Sequence, residues 1–176
     1  MSKSMDELRS KRRDALPIHY LDSNIFISHL YGDEYRRICD RYLTRANKKF
    51  RIVIGQSVIG EILAVIYNDR LKNKSSSSTE FQSIVTLFGD FAMLLQTLVS
   101  DISGFPKELL DTAEKIRSID NRIEMGDSMH LAGAFCYEGC RFFVTTEKNM
   151  LGNRRELSIG GKRIRIMSPD EFDFIG

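Results

Sequence analysis

Four acidic side chains stand beside short apolar runs of the chain, where a fold can bring carboxylates together around a metal ion. They are Asp22, Glu61, Asp127 and Glu147. Asp22 and Glu147 come at the ends of runs that predict strands, and the other two lie near the start of predicted helices. An all-oxygen ligand set favours Mg²⁺ or Mn²⁺ over zinc. Such an ion orients water and stabilises the departing oxygen in phosphodiester cleavage, so the chemistry indicated is metal-assisted hydrolysis of a nucleic-acid backbone.

Each acid also has a purely structural explanation. Asp22 and Asp127 would cap helices, which is worth about 1 kcal/mol each. Glu61 would be a solvated residue of an amphipathic helix, and Glu147 would begin a turn. The four together are harder to explain in this way, because carboxylates at one edge of a sheet repel one another and raise their own pKa values unless a cation joins them.

Strand and helix patterns alternate along the chain. Strands are predicted at Ile18–Leu21, Arg51–Ile54, Leu98–Ser100 (a weaker pattern), Arg141–Thr145 and Arg163–Met167, and helices at 34–48, 58–71, 81–98, 107–119 and 127–137. The second and fourth runs are almost continuously apolar, which is typical of a parallel sheet covered on both faces. The fifth run alternates, as an edge strand does. This order predicts an α/β fold with a mainly parallel sheet, whose sites form at the carboxyl ends of the strands.

Length and composition agree with one folded domain. The chain has 176 residues, of which 42% are hydrophobic and 28% are charged, and this argues against wholesale disorder. A formal net charge of +2 excludes a strongly basic nucleic-acid coat. Three cysteines, Cys39, Cys136 and Cys140, imply no disulfide framework. Cys136 and Cys140 are predicted to share a helix face as core thiols.

Five segments, in the order of the chain, resemble the PIN-domain nuclease family. They are Leu21–Ile27 with the first acid, Ser57–Leu63 with the second, Gly126–Ala134 with the third, Phe143–Glu147, which is similar to the family's Thr-x-Asp strand end, and Ser168–Phe172, which looks like its closing segment. The likeness runs from about Ile18 to Phe172. No single segment is specific, but the five in order are a strong match.

The resemblance implies a three-layer α/β/α sandwich with strand order 3-2-1-4-5 and a Mg²⁺- or Mn²⁺-dependent endoribonuclease. Many small members are VapC-type toxins of toxin–antitoxin pairs, usually dimeric and blocked by a partner protein. An RNA substrate, an antitoxin partner and a homodimer are therefore expected. Other members process ribosomal RNA or act in decay complexes, so a role in RNA processing stays open.

The family's site residues carry over onto matching positions. Asp22 and Asp127 would be the main metal ligands, and Glu61 would hold a metal-bound water or a second ion. Asn24 would orient Asp22, and Thr145 would support the site by hydrogen bonding.

Glu147 departs from the family's pattern, which commonly has Asp at this position. The extra methylene moves the carboxylate outward by about one carbon–carbon bond, so Glu147 would act through water or bind a second metal weakly. The departure favours an alternative function, a non-catalytic RNA-binding or scaffold module of the same fold. A phosphatase with an aspartyl nucleophile also fits the α/β pattern, but Asn24 stands where such enzymes carry a second Asp.

Basic residues and histidines suggest where RNA would lie. Arg37, Arg41, Arg45 and Lys48 are predicted to share one face of the helix over 34–48. A stripe of this kind either contacts phosphates or is simply solvated. His29 and His130 are expected to pack helices or support the site, because the metal mechanism does not require an imidazole.

The sequence also predicts the organisation and location of the chain. Residues 1–16 are expected to be an N-terminal extension, and residues 17–176 a PIN-like domain with a Ser-rich loop inserted near 72–79. The N-terminus lacks the apolar core of a secretory signal. Phe81–Ser100 carries Asp90 at its centre, which costs roughly 2.5–3.5 kcal/mol on membrane insertion. A cytoplasmic protein without membrane attachment is therefore predicted.

Overall fold

The computed structural model describes residues 15–72, 78–152 and 155–174. Its elements are β1 (Ile18–Leu21), α1 (Ser23–Tyr31), α2 (Arg36–Leu43), β2 (Arg51–Gly55), α3 (Gln56–Lys72), α4 (Ser78–Leu98), β3 (Val99–Ser103), α5 (Leu109–Ile119), α6 (Met125–Cys136), β4 (Cys140–Val144), β5 (Glu156–Ile159), β6 (Lys162–Met167) and a closing 3-10 helix (Pro169–Phe174). Most of the expected N-terminal extension and of the Ser-rich loop lies outside the described residues.

The strands form one sheet of order β3-β2-β1-β4-β6-β5. Every pairing is parallel except that of β5 with β6. This confirms the α/β fold, and the five predicted strands keep the expected order, with β6 as the fifth. Two details were wrong. β5 was missed, and β6 is not an edge strand, because β5 covers its outer side. The alternation in β6 arises because Ile164 and Ile166 are buried while Arg163 and Arg165 are exposed.

Neighbouring residues of β1 show how both faces of the sheet are covered. His19 points to one face, where its ring stacks on Phe50 with centroids 4.4 Å apart and bonds the hydroxyl of Tyr42 at 2.7 Å. Burial lowers the pKa of His19 to about 3, so the ring is neutral there. Tyr20 points to the other face and reaches Gly133 of α6, where any Cβ would collide with its hydroxyl. α6 therefore packs closely against the strands.

Helix bounds differ from the predicted ones at two places. α2 ends at Leu43, because the chain turns through Asn47, whose φ is +61°. α6 ends at Cys136 and Cys140 begins β4, so these two cysteines do not share a helix face. All three cysteines are free thiols. Within the described ranges, no helix is long and apolar enough to cross a bilayer.

Candidate metal-binding site

Asp22 is placed by the junction of β1 and α1. Its backbone N–H donates to Val144 O of β4 at 3.0 Å, which extends the parallel ladder to the end of the sheet. Its side chain caps α1, since Oδ1 accepts from the backbone N–H of Ser23 at 2.8 Å. The residue is only 2% exposed. The capping explanation is thus correct for Asp22, but it accounts for only one of the carboxylate's contacts.

Side chains from two further segments hold the other oxygen of Asp22. Oδ2 accepts from Asn24 Nδ2 at 3.0 Å and from Thr145 Oγ1 at 2.7 Å. Asn24 also donates to Thr145 Oγ1 at 3.0 Å and accepts from the N–H of Thr146 at 3.2 Å. Glu147 N donates to Thr145 Oγ1 at 3.0 Å. These hydrogen bonds fix the carboxylate at the carboxyl ends of β1 and β4, while the functional roles expected of Asn24 and Thr145 stay predictions.

Asp127 lies in the first turn of α6, where it is half-buried. It does not cap the helix, because the N-cap is Glu124. Burial, followed by the negative charges of Asp22 and Glu147, raises the pKa of Asp127 to about 7, while His130 opposes the rise. The structure therefore brings three of the predicted acids within electrostatic reach of one another, at a cost that a bound cation would offset.

Glu147 follows β4 and turns partly towards its own loop. Its Oε1 accepts from the N–H of Asn149 at 3.3 Å, as the turn explanation predicts. The carboxylate still acts on Asp127 through its charge. The longer side chain thus serves a local contact while it remains part of the acidic cluster.

Glu61 joins the cluster through a histidine. His130, one turn after Asp127 on α6, directs Nδ1 at Asp22 Oδ1 (2.8 Å) and Nε2 at Glu61 Oε2 (3.3 Å). Burial is the largest influence on the pKa of His130 and lowers it. The hydrogen bond and charge of Asp22, with the charges of Glu61 and Asp127, outweigh burial and raise the pKa. The ring therefore hydrogen-bonds the first acid through Nδ1 and forms an ion-pair contact with the second acid through Nε2. Sequence reasoning assigned His130 a supporting role without seeing this bridge.

The donor set fits a hard cation. Across residues 15–72, 78–152 and 155–174, no three His, Cys, Asp or Glu side chains form a ready metal cage. Mg²⁺ commonly binds through one or two carboxylates and completes its shell with water and phosphate. The pKa of Asp127 is raised first by burial and then by the negative charges of Asp22 and Glu147, and a bound cation would offset both costs. Asp22 and Asp127 offer carboxylate oxygens of the type that such an ion would use, and their role as metal ligands stays a prediction.

Basic residues of the predicted stripe do not share one helix face. Arg37 and Arg41 are exposed on α2, but Arg45 and Lys48 lie beyond its end, in the segment that leads to the amino end of β2. The Arg45 guanidinium lies 5.9 Å from the ring centre of Phe172. Lys48 Nζ donates to Thr44 O at 3.1 Å. The last two cations are thus at the opposite end of the strands from the acids.

His29 lies outside the acidic cluster. Its Nδ1 contacts Asp40 Oδ1 at 2.5 Å, which links α1 to α2. This contact agrees with the expected helix-packing role.

Comparison with known proteins identifies the family. The model of the PIN domain matches residues 19–151. The chain belongs to the PIN-domain family, a family of nucleases. No curated protein matches it significantly.

Two solved structures are similar to the chain. VapBC2 of Rickettsia felis, crystallised with a DNA fragment from its promoter, is 15% identical with a TM-score of 0.58, over 86% of this chain and 98% of that one. VapC20 of Mycobacterium tuberculosis, described as a sarcin–ricin loop cleaving toxin, is 15% identical with a TM-score of 0.50, over 71% of this chain and 86% of that one. At this identity the likeness shows the fold.

Proposed function

We propose that the protein is a Mg²⁺- or Mn²⁺-dependent endoribonuclease that hydrolyses RNA phosphodiester bonds in the cytoplasm. The observation that carries the proposal is the acidic cluster at the carboxyl ends of β1 and β4. Asp22 is held there by Ser23, Asn24 and Thr145. Asp127 faces it closely enough for the Asp22 charge to raise its pKa. Repulsion among these carboxylates destabilises the ion-free cluster, whereas a bound cation would relieve the repulsion and take part in catalysis.

Each residue has a distinct part in this mechanism. Asp22 and Asp127 would hold the ion, and Glu61 and Glu147 would orient water around it. When bound, the ion lowers the pKa of a water and stabilises charge on the phosphate under attack. Asn24 and Thr145 hold the Asp22 carboxylate in one orientation before the substrate binds, so the entropic cost of ordering it does not add to the barrier of each turnover.

Cleavage of a structured RNA in Mn²⁺ tests the proposal. Asp22→Asn is expected to abolish cleavage because it loses the charge. The amide keeps an oxygen for the Ser23 cap but no longer accepts from both Asn24 and Thr145, so a circular dichroism melt verifies that the variant is folded. Asp111→Asn is the matched control, since Asp111 is an exposed acid in the first turn of α5. EDTA is expected to act like Asp22→Asn. Unchanged cleavage by Asp22→Asn would rule out the metal-site assignment.

A toxin of a toxin–antitoxin pair is the biological role that the two structural neighbours favour. Under this proposal the chain forms a homodimer and is inhibited by an antitoxin protein. Expression is expected to arrest growth, and Asp22→Asn is expected to relieve the arrest. An antitoxin gene immediately upstream would support the assignment. Growth without arrest at equal protein levels would contradict it and leave an RNA-processing role.

The second candidate is a non-catalytic RNA-binding or scaffold module, which is favoured by Glu147 and its contact with Asn149. It predicts RNA binding without cleavage in any divalent ion, with Arg37 and Arg41 as candidate phosphate contacts. Cleavage of bound RNA by the wild type separates the two functions, and Glu147→Asp tests the role of this position in a cleaving protein. Kept or improved cleavage supports a metal-binding role at this position, whereas complete loss shows that the glutamate's own geometry is required.

A further inference from the structure

We propose that His130 is the positioning residue that brings the Glu61 carboxylate to the metal site. This inference rests on the proposed function and assigns a role to a side chain that the metal mechanism itself does not demand. The juxtaposition that carries it is a single imidazole lying between the first and second acids, with one ring nitrogen on each.

Glu61 depends on an external partner for its position. It lies on α3, and its side chain is 48% exposed. Among the described residues, the polar group that ties it to the cluster is His130 Nε2, at 3.3 Å. A glutamate side chain has high rotamer entropy, so fixing it in one position is unfavourable unless a partner holds it. Without the imidazole, the carboxylate of a half-exposed Glu61 would sample solvent.

His130 is itself rigidly held. Its ring is 4% exposed, and Nδ1 is 2.8 Å from Asp22 Oδ1. Asp22 is in turn fixed by the Ser23 N–H and the Thr145 hydroxyl. Because Nδ1 is fixed on Asp22 and the ring is buried, Nε2 on the opposite side of the ring points towards Glu61. The order of the Asp22 network is thus transmitted to an acid on a different helix.

The two ring nitrogens can be separated by substitution. Asn places its amide near the position of Nδ1, so His130→Asn keeps a donor for Asp22 but is too short to reach Glu61. Gln extends to the position of Nε2, so His130→Gln keeps a donor for Glu61. If His130 acts by positioning Glu61, His130→Asn is expected to behave like Glu61→Gln. His130→Gln, which keeps a donor for Glu61 but loses the anchor on Asp22, is expected to lie between His130→Asn and the wild type.

Mn²⁺ affinity, measured by isothermal titration calorimetry without RNA, is the readout. Loss of a residue that supports a metal site from around its ligands typically weakens metal binding 10–100-fold. We expect His130→Asn and Glu61→Gln each to weaken Mn²⁺ binding by at least about 10-fold. The double variant is expected to be no weaker than either single variant, because both changes remove the same interaction. Circular dichroism melts verify that each variant is folded.

Other outcomes overturn the inference in distinguishable ways. If Asp22→Asn abolishes Mn²⁺ binding but His130→Asn leaves it unchanged, the proposed function stands and the positioning role fails. Tighter binding by His130→Asn would show that the ring competes with the ion for Asp22. Additive losses in the double variant would make the two residues independent. If the wild type binds Mn²⁺ no better than Asp22→Asn, the metal site and the positioning role both fail.

Discussion

Replacing Asp127 by Asn is expected to stabilise the ion-free protein at alkaline pH, although the change removes a proposed metal ligand. The folded-state pKa of Asp127 is raised from 3.8 to about 7, first by burial and then by the charges of Asp22 and Glu147. Between these values the folded chain holds a proton that the unfolded chain has released. Its stability therefore falls as the pH rises from about 4 to 7. Asn imitates the protonated acid at every pH and avoids this loss.

The size of the effect follows from the shift. At about 1.4 kcal/mol for each pKa unit, a rise from 3.8 to about 7 is worth about 4 kcal/mol without solvent screening. Asp127 is only half-buried, so screening reduces the expected gain to about 1–2 kcal/mol. For a chain of this length that is about 2–8 °C in melting temperature at pH 8. At pH 4 the variant and the wild type are expected to melt alike.

Differential scanning calorimetry in EDTA at pH 4, 6 and 8 measures the gain. His130 adds a trend of the same sign, because its raised pKa gives stability that is present below pH 6.5 and lost as the pH rises through the folded value. Asp111→Asn, in the first turn of α5, keeps both His130 and Asp127. Its stability should therefore follow that of the wild type at each pH, and the difference between the two Asn variants measures the effect of Asp127 alone. Added Mn²⁺ is expected to stabilise the wild type but not Asp127→Asn. A variant less stable than the wild type at pH 8 would refute the electrostatic reasoning.

Three further changes test how the site is supported. Thr145→Val removes a hydroxyl that donates to the first acid and accepts from two donors, so a loss of about 1–3 kcal/mol in urea unfolding and weaker cleavage are expected. Gly133→Ala places a methyl against Tyr20 and is expected to cost about 1–3 kcal/mol, whereas Gly126→Ala, in open space on the same helix, is expected to be harmless. Lys162→Met removes an ammonium that donates to three carbonyls at the end of α6. A loss of about 1–3 kcal/mol is expected, and equal melting temperatures would contradict this capping role.

Local patterns were sufficient to predict the sheet wherever apolar residues dominate. β1 begins and ends as predicted, because Tyr20 and Leu21 are fully buried and the acid after them stops the run. β5 was missed although its signal was present. Glu156–Ile159 alternates, and Gly160 and Gly161 follow with φ of +59° and +82°. A Gly-Gly pair between alternating segments is a hairpin signal, so this error was one of interpretation.

The basic stripe failed for a different reason. Helical spacing continues past Leu43 in the sequence, and neither Gly nor Pro interrupts it before the chain turns. The break comes at Asn47, which adopts a left-handed conformation that asparagine tolerates better than most residues. Its Nδ2 donates to Thr97 O at 3.1 Å. The helix therefore ends where a contact with the end of α4 is formed. Because that contact joins residues far apart in the chain, the sequence around residue 45 does not reveal it.

The acidic cluster shows which part of a site is local and which is not. Asp22 and Asp127 were found from their own surroundings, because a strand end and a helix start are signalled by nearby residues. The electrostatic coupling between Asp22 and Asp127 could not be predicted from local sequence, because it depends on the packing of α6 against the sheet through Gly133 and Tyr20. The same packing inserts His130 between Asp22 and Glu61. Because Gly133 lets α6 pack closely against Tyr20, Asp127 lies near Asp22 and His130 lies between Asp22 and Glu61. A change at Gly133 should therefore disturb the site as well as the core.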